Sequence, residues 1–131
     1  MRIAVDTNIL VRAAVRDHPS QTEIAMREMA RAELVALAIP CLCEFVWVLR
    51  RVYGFGPADI AIAIRSVLAA GNVETNRPAA DAGLAMLEAG GDFADGVIAH
   101  EGRWLGGETF VSFDKRAVDM LRAQGESARL L

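Results

Sequence analysis

Short apolar segments alternate with longer segments of helical periodicity from one end of the chain to the other. The apolar segments predict strands at "RIAV", "ELVALAIP", "NVETN", "ETFVSFD" and, as a final edge strand, "ARLL". Between them lie helix signals: Pro57 suits the first turn of "PADIAIAIRSVLAA", and Gly71 suits its end. Strands that alternate with helices form parallel sheets with helices on both faces. The sequence therefore predicts an α/β fold, a three-layer α/β/α sandwich with a mostly parallel central sheet.

One helix carries a signal for its start. Ser20 and Glu23 form the S-x-x-E pattern in which two side chains cap the free N–H groups of a helix reciprocally. Apolar residues follow at helical spacing, among them Ala25 and Met29. We therefore predict a helix that begins near Ser20 and ends near Ala32.

The size and composition of the chain fit one globular domain. It has 131 residues, of which 53% are hydrophobic and 24% charged, and it contains no linker or repeat. We predict a single domain over residues 1–131. The net charge of −3 gives no overall basic field of the kind that marks nucleic-acid-binding proteins. Acids that serve a metal would themselves lower the net charge, so this observation excludes little.

Neither a disulfide framework nor a membrane span is predicted. Cys41 and Cys43 lie two residues apart, a poor spacing for a disulfide. We expect both thiols to pack among apolar residues, as in a protein of the reducing cytoplasm. No segment reaches the roughly 20 apolar residues that cross a bilayer. The longest apolar run, "LVALAIPCLC", contains Pro40 and stops at Glu44.

Acidic residues follow the predicted strands. Asp6 comes directly after the first strand, and Asp114 closes "ETFVSF". Glu44 lies about one turn into the helix after the second strand, and Asp92 and Asp95 begin the helix after "EAGG". In an open parallel sheet, ligands bind outside the carboxyl ends of the strands. We therefore expect these carboxylates to gather at one edge of the sheet.

Gathered carboxylates repel one another, and some of them become protonated unless a cation balances their charge. Mg²⁺ prefers oxygen ligands, binds one or two carboxylates and keeps several waters. The pattern therefore predicts a divalent metal site. Each acid also has a purely structural explanation: Asp6 and Asp114 can cap the helices that follow them, and Asp92 and Asp95 suit a helix N-terminus.

The motifs around these acids resemble those of the PIN-domain ribonucleases and, within them, the VapC toxins of bacterial toxin–antitoxin pairs. The resemblance rests on "AVDTNILV", "PCLCEFVWVL", "DFADGVIAH" and "TFVSFDKR", in this order. It implies four acids that bind the metal and carry catalysis: Asp6, Glu44, Asp95 and Asp114. It also implies residues that support the site: Thr7, Asn8 and Ser112, with Asp92 either joining them or serving only its helix. Lys115 and Arg116 adjoin Asp114 and are candidates for contacts with RNA phosphates.

The resemblance implies an activity and partners. The activity is endonucleolytic cleavage of tRNA or ribosomal RNA with Mg²⁺ or Mn²⁺, which stops translation; one or two bound ions both fit. The partners are a VapB-type antitoxin and a second copy of the chain.

Two other functions deserve comparison. A phosphatase of the haloacid-dehalogenase type needs a second Asp two residues after the first, where this chain has Asn8. A PIN-like RNA-binding or protein-interaction module without catalysis would need none of the acids, and all four are present.

Overall fold

Every pair of neighbouring strands in this protein is parallel. The structure is a computed structural model that describes all 131 residues. They divide into an N-terminal unit, Met1–Asn76, and a C-terminal unit, Arg77–Leu131. The predicted α/β fold with parallel strands is confirmed, and the single domain over residues 1–131 stays a prediction.

The N-terminal unit contains a three-stranded parallel sheet in the order β1-β2-β3. Its elements are β1 (Arg2–Ala4), α1 (Thr7–Val15), α2 (Pro19–Arg31), β2 (Leu34–Ala36), α3 (Ile39–Arg51), α4 (Pro57–Ala69) and β3 (Val73–Glu74). Val35, on the central strand, pairs with Ile3 on one side and Val73 on the other. Val35 is completely buried, so this strand anchors the sheet in the core.

The C-terminal unit contains a two-stranded parallel sheet. Its elements are α5 (Arg77–Glu88), α6 (Phe93–Trp104), β4 (Phe110–Ser112), α7 (Lys115–Ala123) and β5 (Ala128–Leu130). The final edge strand predicted at "ARLL" is β5, which pairs with β4 through Val111 and Arg129. Met86, Val118 and Leu121 form the centre of the core of the C-terminal unit.

Apolar side chains at helical spacing fix the helices that carry the acids. On α3, Leu42, Phe45 and Leu49 are fully buried, and they follow the spacing of one helix face. Full burial of side chains of this size contributes about 1.5–3 kcal/mol each to the free energy of folding.

No helix of the chain combines the length and the apolarity that a membrane span requires.

The helix predicted from near Ser20 to near Ala32 is confirmed as α2, but its N-cap is not the predicted one. The helix begins at Pro19, and its N-cap is His18, whose Nδ1 accepts a hydrogen bond from the Gln21 backbone N–H at 3.3 Å. Proline suits the first helical position, because its fixed φ is already helical and its missing N–H would have had no partner there. Ser20 therefore lies inside the helix, and the Ser20–Glu23 capping box does not form.

A glycine allows α5 and α6 to pack closely. Gly96 lies in the first half of α6, and a β-carbon there would collide with the backbone carbonyl of Ala82 on α5. Gly83 on α5 faces the Phe93 ring in the same way, with 2.6 Å from the site of an added β-carbon to the ring. These close contacts fix the N-terminal turn of α6, which carries Asp95.

Candidate functional site

Asp6 lies at the junction between β1 and α1, where it caps the helix. Its backbone is extended, and its Oδ1 accepts a hydrogen bond from the Thr7 backbone N–H at 2.7 Å. The partial positive charge at a helix N-terminus favours a carboxylate in this position. The second oxygen, Oδ2, accepts no hydrogen bond within the N-terminal unit. Capping therefore occupies one carboxylate oxygen and leaves the other open to a ligand.

Glu44 lies on the exposed side of α3 and is joined to the same segment. Its Oε2 accepts a hydrogen bond from the Thr7 hydroxyl at 3.0 Å. Leu42, Phe45 and Val46, which flank it along α3, are buried, so the helix that carries it is fixed. The N-terminal unit thus brings Asp6 and Glu44 together around Thr7, although Thr7 and Glu44 are 37 positions apart.

A buried thiol lies beneath these acids. The Cys41 Sγ is 3.7 Å from the Thr7 Oγ1 and donates to the Val5 carbonyl, also at 3.7 Å. Burial raises the pKa of the Cys41 thiol, and the negative charges of Asp6 and Glu44 raise it further, against a lowering effect of the Thr7 hydrogen bond. The group is therefore a neutral thiol at physiological pH. Neither Cys41 nor Cys43 takes part in a disulfide.

Three acids crowd together in the C-terminal unit. Asp92 caps α6 by accepting from the Ala94 N–H at 3.1 Å, and Asp114 caps α7 by accepting from the Ala117 N–H at 3.1 Å. Asp95 lies in the first turn of α6. Burial raises the pKa of the Asp95 carboxyl, and the charges of Asp92 and Asp114 raise it further. An ionised Asp95 is therefore disfavoured unless positive charge is supplied.

The other residues singled out in the sequence have more modest roles here. The Ser112 Oγ accepts a hydrogen bond from the Asp114 N–H at 2.9 Å, which shapes the turn into α7. The Lys115 Nζ lies 2.6 Å from Asp119 on the same helix, and the Arg116 guanidinium donates to the Gly90 carbonyl. Asn8 is exposed. Both cations thus have partners within the chain, and their contact with RNA stays a prediction.

The chemistry of these donors suits a hard divalent cation, because every acid offers carboxylate oxygens. Within either unit taken alone, no three His, Cys, Asp or Glu side chains are placed to hold a metal ion. The charges of Asp92 and Asp114 act on Asp95, but Coulombic influence reaches further than a shared coordination shell. The described geometry therefore comprises two acidic clusters: Asp6 with Glu44, and Asp92 with Asp95 and Asp114.

Sequence reasoning did not identify the contact of the Cys41 thiol with the Thr7 hydroxyl, which also binds Glu44. The signal was present: Cys41 and Glu44 are three residues apart on a helix and so lie on the same face. The link from Arg116 to the Gly90 carbonyl was also missed, because no local pattern indicates a bond between positions so far apart.

Comparison with known proteins supports the resemblance seen in the motifs. The family model described as the PIN domain matches residues 3–122, a span that includes both acidic clusters. A search among curated proteins finds no match to the chain.

The raised pKa of Asp95 predicts a pH-dependent effect on stability. The fold favours the protonated carboxyl, so the stability it contributes is present below the pKa of the unfolded chain and is lost as pH rises through the folded pKa. At neutral pH without metal, Asp95→Asn should therefore raise the melting temperature by a few degrees at most. The gain should vanish below about pH 4, near the ordinary pKa of Asp.

Circular dichroism in EDTA at both pH values measures this. Asp81→Asn, which changes an exposed acid on α5, is the control and should leave the melting temperature unchanged. A lower or equal melting temperature for Asp95→Asn at neutral pH would show that no uncompensated charge resides there.

Proposed function

We propose a function from one premise: the chain belongs to the PIN-domain family, whose members are generally metal-dependent nucleases. Within that family we propose that it is an endoribonuclease of the VapC type, the toxin of a type II toxin–antitoxin pair. The motifs "AVDTNILV", "DFADGVIAH" and "TFVSFDKR" support this assignment. Such a toxin acts in the cytoplasm, where its RNA substrates are.

The match of the PIN-domain family model to residues 3–122, which include all four acids, is the observation that carries the proposal, and the negative neighbours of Asp95 agree with it. A half-buried carboxylate with two negative neighbours is costly for a fold, and a divalent cation removes that cost. We propose that Asp6, Glu44, Asp95 and Asp114 bind Mg²⁺ or Mn²⁺, as one ion or two. Asp92 then supports Asp95 from the N-cap of the same helix.

The ion, when bound, lowers the pKa of a water and stabilises the negative charge that develops as a phosphodiester is cut. The chain's own residues keep the acids in place for it. Ser112 fixes the backbone of Asp114, and Asp6 is fixed by the N–H of Thr7. Lys115 and Arg116 begin α7 directly after Asp114, so they offer positive charge to neighbouring RNA phosphates.

The substrate we propose is tRNA or ribosomal RNA, and its cleavage inhibits translation. A PIN-like module that binds RNA or protein without catalysis is the alternative. It would have the same fold but would not need four acids, and Asp95 would then reduce stability without serving a function. RNA cleavage in the presence of a metal separates the two functions.

Purified protein should cut RNA internally with Mg²⁺ or Mn²⁺ and stop doing so in EDTA. Asp6→Asn and Asp114→Asn should each reduce the rate by about 100-fold or more, because losing even a group that only supports a metal ligand costs 10–100-fold. Asp81→Asn is the matched control and should cleave like the native chain. Gel analysis of cleaved RNA, and growth after induction of each variant, provide the measurements.

If the native chain neither cuts RNA with these ions nor arrests growth, the nuclease assignment is wrong. If the Asp81 variant is as inactive as the Asp6 variant, general loss of the fold explains the defect instead.

An apolar groove in the N-terminal unit supports the proposed antitoxin partner. It encloses about 660 Å³ among α1, α2 and α4. It is lined by Ala13, Ala14, Arg16, Met26, Met29, Ala30, Phe55, Asp59, Ile62, Ala63, Ser66, Val67, Ala70 and Asn72. Ile62 is 66% exposed and Met26 41%. Grooves of this kind accept the apolar face of a partner helix, and small alanine side chains allow it to approach closely.

The proposed homodimer is supported by other exposed apolar side chains. Trp47 on α3, Val52 directly after α3, and Trp104 and Leu105 at the end of α6 are each at least 60% exposed. Exposed apolar side chains that form a contiguous patch are typical of interaction surfaces. Light scattering of the purified chain measures the oligomeric state.

Ile62→Glu should weaken antitoxin binding more than about 10-fold, because a charge would replace an apolar contact within the groove. The probe is the protein encoded by the small open reading frame next to the gene, co-expressed with the chain and co-purified. Ile24→Glu is the control: Ile24 is similarly exposed on α2 but does not line the groove. Equal binding by both variants would place the antitoxin elsewhere, and RNA cleavage by both should be unchanged.

A further inference from the structure

Thr7 donates one hydrogen bond to each of the two proposed metal ligands in the N-terminal unit, Asp6 and Glu44. Its backbone N–H donates to the Asp6 Oδ1 at 2.7 Å, and its hydroxyl donates to the Glu44 Oε2 at 3.0 Å. The Thr7 residue is only 9% exposed, so it is fixed by its surroundings. One residue thus sets the position of two carboxylates that come from different elements.

The hydroxyl proton has two possible acceptors, and the carboxylate is the better one. A hydroxyl carries a single proton. The Glu44 Oε2 is a carboxyl oxygen at 3.0 Å, whereas the Cys41 Sγ lies at 3.7 Å and is a weak acceptor. The Cys41 thiol is itself directed to the Val5 carbonyl. The Thr7 proton therefore goes to Glu44.

We propose that Thr7 is a positioning residue that holds Glu44 beside Asp6 in readiness for the divalent cation; this rests on the proposed function. Glu44 is exposed and has a long, flexible side chain. A bond from a buried donor restricts it to one arrangement. Only Oε2 is used, so Oε1 stays open, as Oδ2 does on Asp6. The carboxylates are thus arranged before the ion binds.

Thr22 provides a matched comparison within the same unit. Its residue is 7% exposed, and its hydroxyl donates to the Arg12 carbonyl at 2.6 Å. This bond is also buried and made by a threonine, but it ends on the backbone rather than on an acid. Thr22→Val therefore removes a comparable contribution to stability without touching Glu44.

The experiment measures Mn²⁺ affinity in the absence of RNA, from the electron paramagnetic resonance signal of free Mn²⁺, together with the melting temperature in EDTA. Thr7→Val should weaken Mn²⁺ binding by about 10-fold or more, the effect expected when a group that supports a ligand is lost. Thr7→Ser keeps the hydroxyl and should bind close to the native affinity. Thr22→Val should melt at a lower temperature but bind Mn²⁺ normally.

Further variants keep the test decisive. Thr7→Ala and Thr7→Ser differ only in the hydroxyl, so they repeat the comparison if the valine variant does not fold. If Thr7 acts through Glu44, the double variant Thr7→Val with Glu44→Gln should bind Mn²⁺ no more weakly than Glu44→Gln alone.

Native affinity in Thr7→Val or Thr7→Ala, equal loss in Thr22→Val, or additive losses in the double variant would each overturn the positioning role. The proposed function fails separately, if the native chain binds no Mn²⁺ or if Asp6→Asn binds it unchanged; the first of these results overturns both.

Discussion

The positive ends of helices hold most of the acids of the proposed metal site. Asp6, Asp92 and Asp114 cap α1, α6 and α7, each through one carboxylate oxygen. An acidic N-cap stabilises a helix by about 1 kcal/mol. The two explanations of these acids, as caps and as metal ligands, are therefore compatible, because a carboxylate has a second oxygen. The same bond that stabilises a helix would also fix the direction of a proposed metal ligand.

Asp95 shows where the requirements of fold and function separate. It does not cap a helix, it is half-buried, and its neighbours Asp92 and Asp114 disfavour its charge. Stability alone would favour a neutral side chain at this position. Functional sites in proteins accept reduced stability where the function requires it. In the N-terminal unit the acids are treated differently: Thr7 satisfies one oxygen of Asp6 and one of Glu44. Asp6 and Glu44 are thus held in place by hydrogen bonds, whereas the charge of Asp95 is disfavoured by its neighbours. A bound cation would be attracted to the first pair and would compensate the charge of Asp95.

Much of the fold could be predicted because its signals are local. Strand–helix alternation, Pro57 and the final strand β5 depend on residues close in sequence, and they were confirmed. The Ser20–Glu23 capping box failed for a local reason too, because Pro19 takes the first helical position and His18 caps the helix. The pairing of Lys115 with Asp119 follows the i,i+4 rule and could have been read from spacing. By contrast, the Thr7–Glu44 bond depends on how α1 packs against α3, which no short pattern encodes.

Nuclear magnetic resonance with substoichiometric Mn²⁺ tests most directly whether the four acids bind a divalent cation. The paramagnetic ion broadens amide signals close to it. We expect the signals around Asp6, Glu44, Asp95 and Asp114 to broaden first, and Mg²⁺ in excess to restore them. One pair of acids is Asp6 with Glu44, and the other is Asp95 with Asp114. Broadening around neither pair, or around only one, would contradict the proposal that these carboxylates together hold the ion.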